Sequence, residues 1–259
     1  MCGGPAPCPG RSSRTGTAAR RSGKRRAVSP VPFPDRRAAG RALGRALADL
    51  RLAPPVVVLA LPRGGVPVAA EVARALRAPL DLLLVRKIGA PWQPELAVAA
   101  VVEGDPPEVV VDETARGATA VQRDWIDRQA EVELQEIARR RRLYRAGREL
   151  GPLGGATVVL VDDGIATGTT VRAALAALRR RGAARIVLAV PVAPRDTLAT
   201  LRGDVDELVC LAQPEPFDAV GCHYVDFRQV GDDEVMSSLA LAAGPASEEE
   251  NGDGRSTAG

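Results

Sequence analysis

The chain has 259 residues, 46% of them hydrophobic but only 3% aromatic, with a formal net charge of +3. That length suits one domain of generous size or one domain with tails, and the core must be built from Val, Leu, Ile and Ala, which favours α/β layering. No apolar run reaches the roughly 18 residues of a membrane span, so a spanning helix is not expected.

In chain order, residues 1–30 are rich in Gly, Pro, Arg and Ser, and a disordered basic tail is expected there. Residues 1–34 hold seven basic residues and no acidic one, leaving 28 basic against 32 acidic in the remainder. The body is therefore mildly acidic, and a nucleic-acid-binding domain is not expected; weak contact of the basic arm with nucleic acid or anionic lipid is the alternative to a plain extension. The start lacks the apolar stretch of a secretory leader; it is Arg- and Ser-containing and acid-free, loosely like a transit peptide, but its Gly and Pro content argues against an amphipathic helix, so the cytoplasm is the expected location.

The folded unit is expected over residues 31–243. Residues 35–50, "DRRAAGRALGRALADL", read as a helix with Leu43, Leu47 and Leu50 on one face and Asp35 as N-cap. A short buried strand, "PVVVLALP", is followed by a helix, "GVPVAAEVARALRAPL", a second strand, "LDLLLVRKIG", and a further apolar run, "PEVVVD". Residues 114–148 are charged and helix-favouring, with Val121, Trp125, Leu134 and Ile137 at roughly helical intervals. This segment reads as a helical insertion, either a hood or a dimer surface, or as a solvated structural helix.

The strand "ATVVLVDD", a helix from Thr169 to Arg181, the strand "RIVLAVPVA", a short helix "DTLATLR" and the strand "VDELVCLA" complete the alternation. "GCHYVDF" reads as a terminal strand, and residues 244–259 as a disordered acidic tail. Strands alternating with helices predict an α/β fold: a parallel, doubly wound sheet of about five or six strands with helices on both faces. The four cysteines, Cys2, Cys8, Cys210 and Cys222, form no CxxC pair and no zinc-type cluster.

The informative stretch is "VVLVDDGIATGTT". Ligands of open α/β sheets bind at the carboxyl ends of the strands, where Asp162 and Asp163 fall. Carboxylates accept hydrogen bonds from vicinal hydroxyls. The loop that follows opens a helix, whose free N–H groups and dipole favour an anion. Gly164 and Gly168 allow tight turns, and Thr167, Thr169 and Thr170 add hydroxyl donors. A carboxylate pair beside an anion cradle fits a ribose 5-phosphate; an ordinary strand–turn–helix with polar capping is the plainer alternative.

These residues resemble the phosphoribosyl-pyrophosphate (PRPP) motif of type I phosphoribosyltransferases, an apolar strand, two acids and a T-G-x-T loop. "FPDRRAAGRAL", "LPRGGVPVAAEVA", "VRKIGAPWQPELAVAAV" and "FDAVGCHYVDFRQVGDDEV" resemble one bacterial branch of that superfamily, so the resemblance spans about Phe33–Val235. It implies a type I phosphoribosyltransferase-like fold and transfer of the phosphoribosyl group of PRPP to an acceptor, a nitrogenous one by analogy, with release of pyrophosphate. Magnesium would be carried by PRPP with Asp162 and Asp163 nearby. The ribose and 5-phosphate would meet Asp162, Asp163, Gly164, Ala166, Thr167, Gly168, Thr169 and Thr170.

Arg63, Gly64 and Gly65 occupy the position of the pyrophosphate loop, where Arg63 can donate bidentately and the glycines let the backbone approach closely. Arg86 and Lys87 close the next strand. Lys87 is one of two lysines in an arginine-rich chain, and its point charge suits a pyrophosphate leaving group. Lys87, Arg63 and Asp163 are the candidate catalytic residues. Trp92 either flanks a substrate base or plugs a core gap, and Glu95 either orients a cation or caps the run that follows. His223, the sole histidine, reads as structural rather than as a general base. The partners implied are PRPP and an unidentified acceptor, with a homodimer as the candidate assembly. A PRPP or nucleotide sensor without turnover, or a binding module serving a partner enzyme, are the alternatives to an enzyme.

Overall fold

Short strands made of unbroken Val, Leu and Ala need cover on both faces, and the element order supplies it. The computed structural model describes residues 32–104, 106–146 and 150–243; the side chain of Glu95 and both tails expected to be disordered lie outside the described residues. In chain order these are α1 (Arg36–Ala48), β1 (Val56–Ala60), α2 (Gly65–Leu76), β2 (Leu80–Leu82), β3 (Val85–Ala90), β4 (Gln93–Val102), β5 (Glu108–Val111), α3 (Glu113–Thr119), α4 (Arg123–Arg145), β6 (Thr157–Val161), α5 (Thr169–Arg180), β7 (Arg185–Val192), α6 (Arg195–Leu201), β8 (Glu207–Ala212) and α7 (Asp232–Ala243).

Five strands form a parallel sheet in the order β2-β1-β6-β7-β8. Successive residues of β6 feed opposite layers. Val159 and Val161 pack with Leu43 and Leu47 of α1, Val68 and Val72 of α2 and Val235 of α7. Val158 and Leu160 pack with Leu175 and Leu178 of α5 and Leu198 and Leu201 of α6. The doubly wound α/β expectation is thus met. Asp35 caps α1 by accepting from the Ala38 N–H at 2.6 Å. A Cβ on Gly40 would come within 2.6 Å of the Val68 carbonyl oxygen, so α1 can lie against the backbone of α2 only with glycine there.

A second sheet was not foreseen. β3, β4 and β5 form an antiparallel meander. The run expected as one strand, residues 80–89, breaks after Leu82, because Leu84 turns to exchange hydrogen bonds with Glu103 at the far end of β4: its N–H donates to Oε1 at 2.7 Å and its carbonyl accepts from the Glu103 N–H at 2.9 Å. β4 escaped notice because both of its faces are covered. Val98, Ala99 and Val101 meet Ile126, Ala130, Ile137 and Tyr144 of α4, while Ala100 and Val102 join the layer of α5. Residues covered on both sides show no alternation.

The expected terminal strand at residues 221–227 is also corrected. It is one turn of 3₁₀ helix, Val220–His223, and a single parallel bridge between Phe33 and Tyr224. The aromatic rings explain this, since Tyr224 packs on Phe33 and Phe227, with centroids 5.6 and 5.1 Å away, instead of extending a sheet edge. The final helix, α7, was not anticipated; its first turn carries Asp232, Asp233 and Glu234, favourable at the positive end of the helix dipole.

The second sheet is fastened to the first by Arg145 at the end of α4. Its guanidinium donates to Glu103 Oε2 at 2.8 Å, to Glu103 Oε1 at 2.9 Å and to Asp81 Oδ1 at 2.7 Å, and also to the Leu82 carbonyl. Arg145 and Glu103 are 5% and 4% exposed, so removing one strands the other in the interior. Arg145→Met should therefore lower unfolding free energy in urea by about 3–5 kcal/mol, and adding Glu103→Met should recover much of that loss.

Candidate functional site

From β1 the chain winds through α2 on one face to β2; from β6 it winds through α5 on the other face to β7. The carboxyl ends of β1 and β6 therefore border a topological switch point, where open α/β sheets leave a crevice. Ala60 and Val161 are paired in register, and the Leu61 N–H donates to the Val161 carbonyl at 3.0 Å. The two loops that leave these strands start side by side. One carries Arg63, Gly64 and Gly65; the other carries Asp162 and Asp163.

Those two loops touch. A Cβ on Gly64 would collide with the Asp163 carboxylate, and one on Gly65 would lie 2.9 Å from the Asp162 Cα. The expectation at these glycines was close approach to a ligand; the contact seen is with the two aspartates. Gly64 has ordinary helical dihedrals, so space rather than conformation requires glycine there. The Pro62–Arg63 peptide is cis.

Asp163 is held from several sides. Arg36 Nε donates to its Oδ2 at 2.7 Å, and the same guanidinium lies 3.8 Å from the centroid of Phe227 and donates to the Arg228 carbonyl at 2.8 Å. The Tyr224 hydroxyl donates to the Asp163 carbonyl at 2.5 Å. Asp162 Oδ1 accepts from the Asp163 N–H at 2.8 Å, and no basic side chain pairs with Asp162 among the described residues. Burial raises the pKa of both carboxyls; the neighbouring carboxylate pushes Asp162 further up, while Arg36 opposes the shift at Asp163.

The sequence points to neither Arg36 nor Tyr224 as a site residue. Arg36 is 127 positions from its partner, and no local pattern reports such a contact.

A group whose folded pKa is raised binds more protons in the folded protein, so stability is lost as pH climbs from the ordinary carboxylate range through the raised value. Asp162→Asn keeps the acceptor and removes the charge. It should raise the thermal midpoint in the absence of ligand, and the gain should be larger at about pH 8 than at about pH 5. No gain, or the same gain at both pH values, would show that Asp162 carries no such cost.

A cavity of about 240 Å³ opens on this crevice, lined by Gly64, Arg86, Lys87, Arg140, Asp162 and Thr170 among others. Contrary to the expectation that they close a strand of the parallel sheet, Arg86 and Lys87 lie within β3 of the antiparallel one, which reaches over the crevice. Arg140 was not anticipated. Helical spacing does flag it, for it stands three residues after buried Ile137 and four before buried Tyr144, on the inward face of α4. Arg86 Nε pairs with Glu133 Oε2 at 2.7 Å and Arg140 Nε with Glu136 Oε1 at 2.7 Å. Arg63 Nη1 lies 3.5 Å from Asp232 Oδ1, at the start of α7.

The segment from Gly164 to Thr170 leads into α5 on Gly168, at φ +80°, with no side-chain cap on the helix N-terminus. Ala166 and Thr167 are exposed, Gly164, Thr169 and Thr170 half-buried. The loop is steadied from outside, by the Ile165 N–H to the Val192 carbonyl at 3.0 Å and by Thr197 Oγ1 to the Ala166 carbonyl at 2.7 Å. Trp92 is 65% exposed at the turn between β3 and β4, so it plugs no core gap. His223 Nε2 is buried without a hydrogen-bond partner among the described residues, its ring centroid 5.0 Å from that of Phe217. No group of three or more potential metal ligands occurs among the described residues, and none of their helices is long and apolar enough to cross a membrane.

A larger cavity, about 530 Å³, lies at the other end of α5, lined by Glu103, Glu108, Arg141, Arg180 and Arg181 among others. Arg180 is paired with Glu108 and Arg181 donates to the Glu103 carbonyl. The helix end there presents carbonyls, which disfavours an anion. Chemistry therefore favours the smaller cavity.

The family model for the phosphoribosyl transferase domain matches residues 35–225. A Mycobacterium tuberculosis H37Rv protein, provisionally named phosphoribosyl transferase Rv0571c, is 51% identical over 212 residues, covering 81% of this chain and 47% of that protein. Its counterpart in strain CDC 1551, MT0597, matches equally. The chain thus spans about half the length of these curated relatives. The crystal structure of TT1426 from Thermus thermophilus is similar at 44% identity and a TM-score of 0.69, over 80% of this chain and 97% of that one. With a family match over most of its folded part, and with a carboxylate pair and a glycine loop meeting at its switch point, this chain belongs to the phosphoribosyl transferase domain family.

Proposed function

We propose that the crevice between β1 and β6 binds PRPP with magnesium, and that the protein transfers the phosphoribosyl group to a nitrogenous acceptor with release of pyrophosphate. The observation that carries this reading is the meeting of two opposite charge sets at one cavity: Asp162 from β6, and Arg86, Lys87 and Arg140 from the second sheet and its covering helix. A sugar diphosphate presents hydroxyls and concentrated negative charge within one molecule. Membership of the family and the names of the relatives point the same way.

In this reading the 5-phosphate lies in the loop 164–170, against the N–H groups that open α5 and the hydroxyls of Thr167, Thr169 and Thr170. The ribose hydroxyls face Asp162. Asp163, already engaged by Arg36, keeps the loop in place beneath Gly64. Magnesium would ride on the ligand's own oxygens, with Asp162, which pairs with no basic side chain among the described residues, as the nearby carboxylate. Bound there, magnesium would supply charge neutralisation for the pyrophosphate.

The bond from C1 to the pyrophosphate oxygen breaks with its electron pair leaving on pyrophosphate. The acceptor nitrogen donates its lone pair to C1 and loses a proton. Charge builds on the leaving group as that bond stretches, so cations aimed at it stabilise the transition state more than bound PRPP. Lys87 is the candidate for this role, with Arg63 and Arg86 beside the same group.

The test is release of pyrophosphate from PRPP and magnesium across a panel of bases and amines. Turnover with one acceptor is the expected result; PRPP binding without release under every acceptor would favour a sensor. With the acceptor in hand, Lys87→Ala should lower kcat by roughly 10²-fold with a smaller change in KM. An unchanged kcat would make Lys87 a bystander charge.

A further inference from the structure

Arg86 and Arg140 line the cavity, Arg63 stands between its lining residues Pro62 and Gly64, and the three share a feature that the proposed reaction does not use. Arg63, Arg86 and Arg140 come from a loop, a strand and a helix, and each is paired with a carboxylate of α4 or α7: Asp232, Glu133 and Glu136 respectively. Two of these contacts are tight, at 2.7 Å, whereas Arg63 and Asp232 are 3.5 Å apart and both about one-third exposed, at 30% and 32%. A contact of that length is within reach of exchange, and a phosphate group offers a guanidinium a better, bidentate partner.

Asp232 is itself fixed. It accepts a hydrogen bond from the Tyr144 hydroxyl near the end of α4 and stands in the first turn of α7. The Tyr144 hydrogen bond first, and then the charge of Arg63, hold its carboxyl below the ordinary range, so it is anionic at neutral pH. Burial first, and then Asp232, push the Tyr144 hydroxyl up to about 12, so it remains a donor. A permanent anion therefore stands beside the one arginine of the glycine loop, anchored to a helix pair that packs together.

We propose that Asp232 is a latch on the glycine loop: an internal carboxylate that holds Arg63, is displaced when a pyrophosphate-bearing ligand arrives, and takes Arg63 back as pyrophosphate leaves. The inference rests on assigning the cavity to such a ligand. Asp232 touches no reacting atom and acts through Arg63, so it is a positioning residue. Competition of this kind lowers the apparent affinity for pyrophosphate by the fraction of time the latch is closed, and it hastens release of the product.

The experiment is calorimetric titration of the full chain with inorganic pyrophosphate and magnesium, for wild type, Asp232→Asn, Asp232→Glu, Arg63→Ala and the Arg63→Ala/Asp232→Asn pair. Asparagine keeps the acceptor for Tyr144 and removes the charge. Asp232→Asn should bind roughly three- to tenfold tighter, Asp232→Glu should return close to wild type, and the gain should vanish when Arg63 is Ala. Should the asparagine variant fail to fold, Asp232→Ser, which also keeps a hydrogen-bond acceptor there, carries the same test. Unchanged or weaker binding by the folded neutral variant, or the same gain without Arg63, overturns the latch. Wild type that binds no pyrophosphate, or binds it as Arg63→Ala does, overturns the assignment of the cavity itself and the latch with it.

Discussion

Two carboxylates on consecutive residues, at the end of a strand whose other residues are buried, must be compensated or they oppose folding. Much of the molecule around β6 is arranged to do this. Arg36 reaches Asp163 from the first turn of α1, and its position follows from the close seat of α1 on α2 at Gly40. Phe227 lies against the guanidinium, and Tyr224 ties down the Asp163 backbone. These contacts join the start and the end of the described chain to its middle, so a local motif at residues 162–163 depends on the whole fold.

The compensation is unequal, and the inequality has chemical meaning. Asp163 has a cation and the Gly64 backbone against it. Among the described residues Asp162 has the N–H of its neighbour and no ion-pair partner, and its pKa is pushed upward by burial and by Asp163. An arrangement that leaves one carboxylate undercompensated stores electrostatic cost that a ligand with hydroxyls and a bound cation can relieve. The reverse holds at the other wall of the cavity, where Arg86 and Arg140 are matched by carboxylates of α4, and beside it, where Arg63 is matched by Asp232 of α7. Sites of this kind commonly give up stability for function.

The parallel sheet and the loop 164–170 were legible because they depend on short-range signals: unbroken apolar runs, two acids at a strand end, and glycine with threonine before a helix. Asp35 as a cap was legible for the same reason. The antiparallel sheet was not. β4 is an Ala- and Val-rich run buried on both faces, with neither the alternation nor the helical spacing that would mark it, and so Arg86 and Lys87 were put on the wrong sheet. Arg36 and Asp232 were missed for a different reason, since their roles exist only through partners far away in sequence. Arg140 lay within reach of a helical-spacing argument; the dense charge of α4 hid it.

The switch point between β1 and β6, and not the larger cavity beside the end of α5, is the proposed seat of a phosphorylated sugar. A crystal structure of the protein with PRPP and magnesium tests it most directly. The expected complex has the 5-phosphate against the backbone N–H groups at the start of α5, the ribose hydroxyls at Asp162, and the pyrophosphate between Gly64 and Lys87, with Arg63 moved away from Asp232. PRPP bound among Arg141, Arg180 and Arg181, or a 5-phosphate away from the loop 164–170, would contradict it.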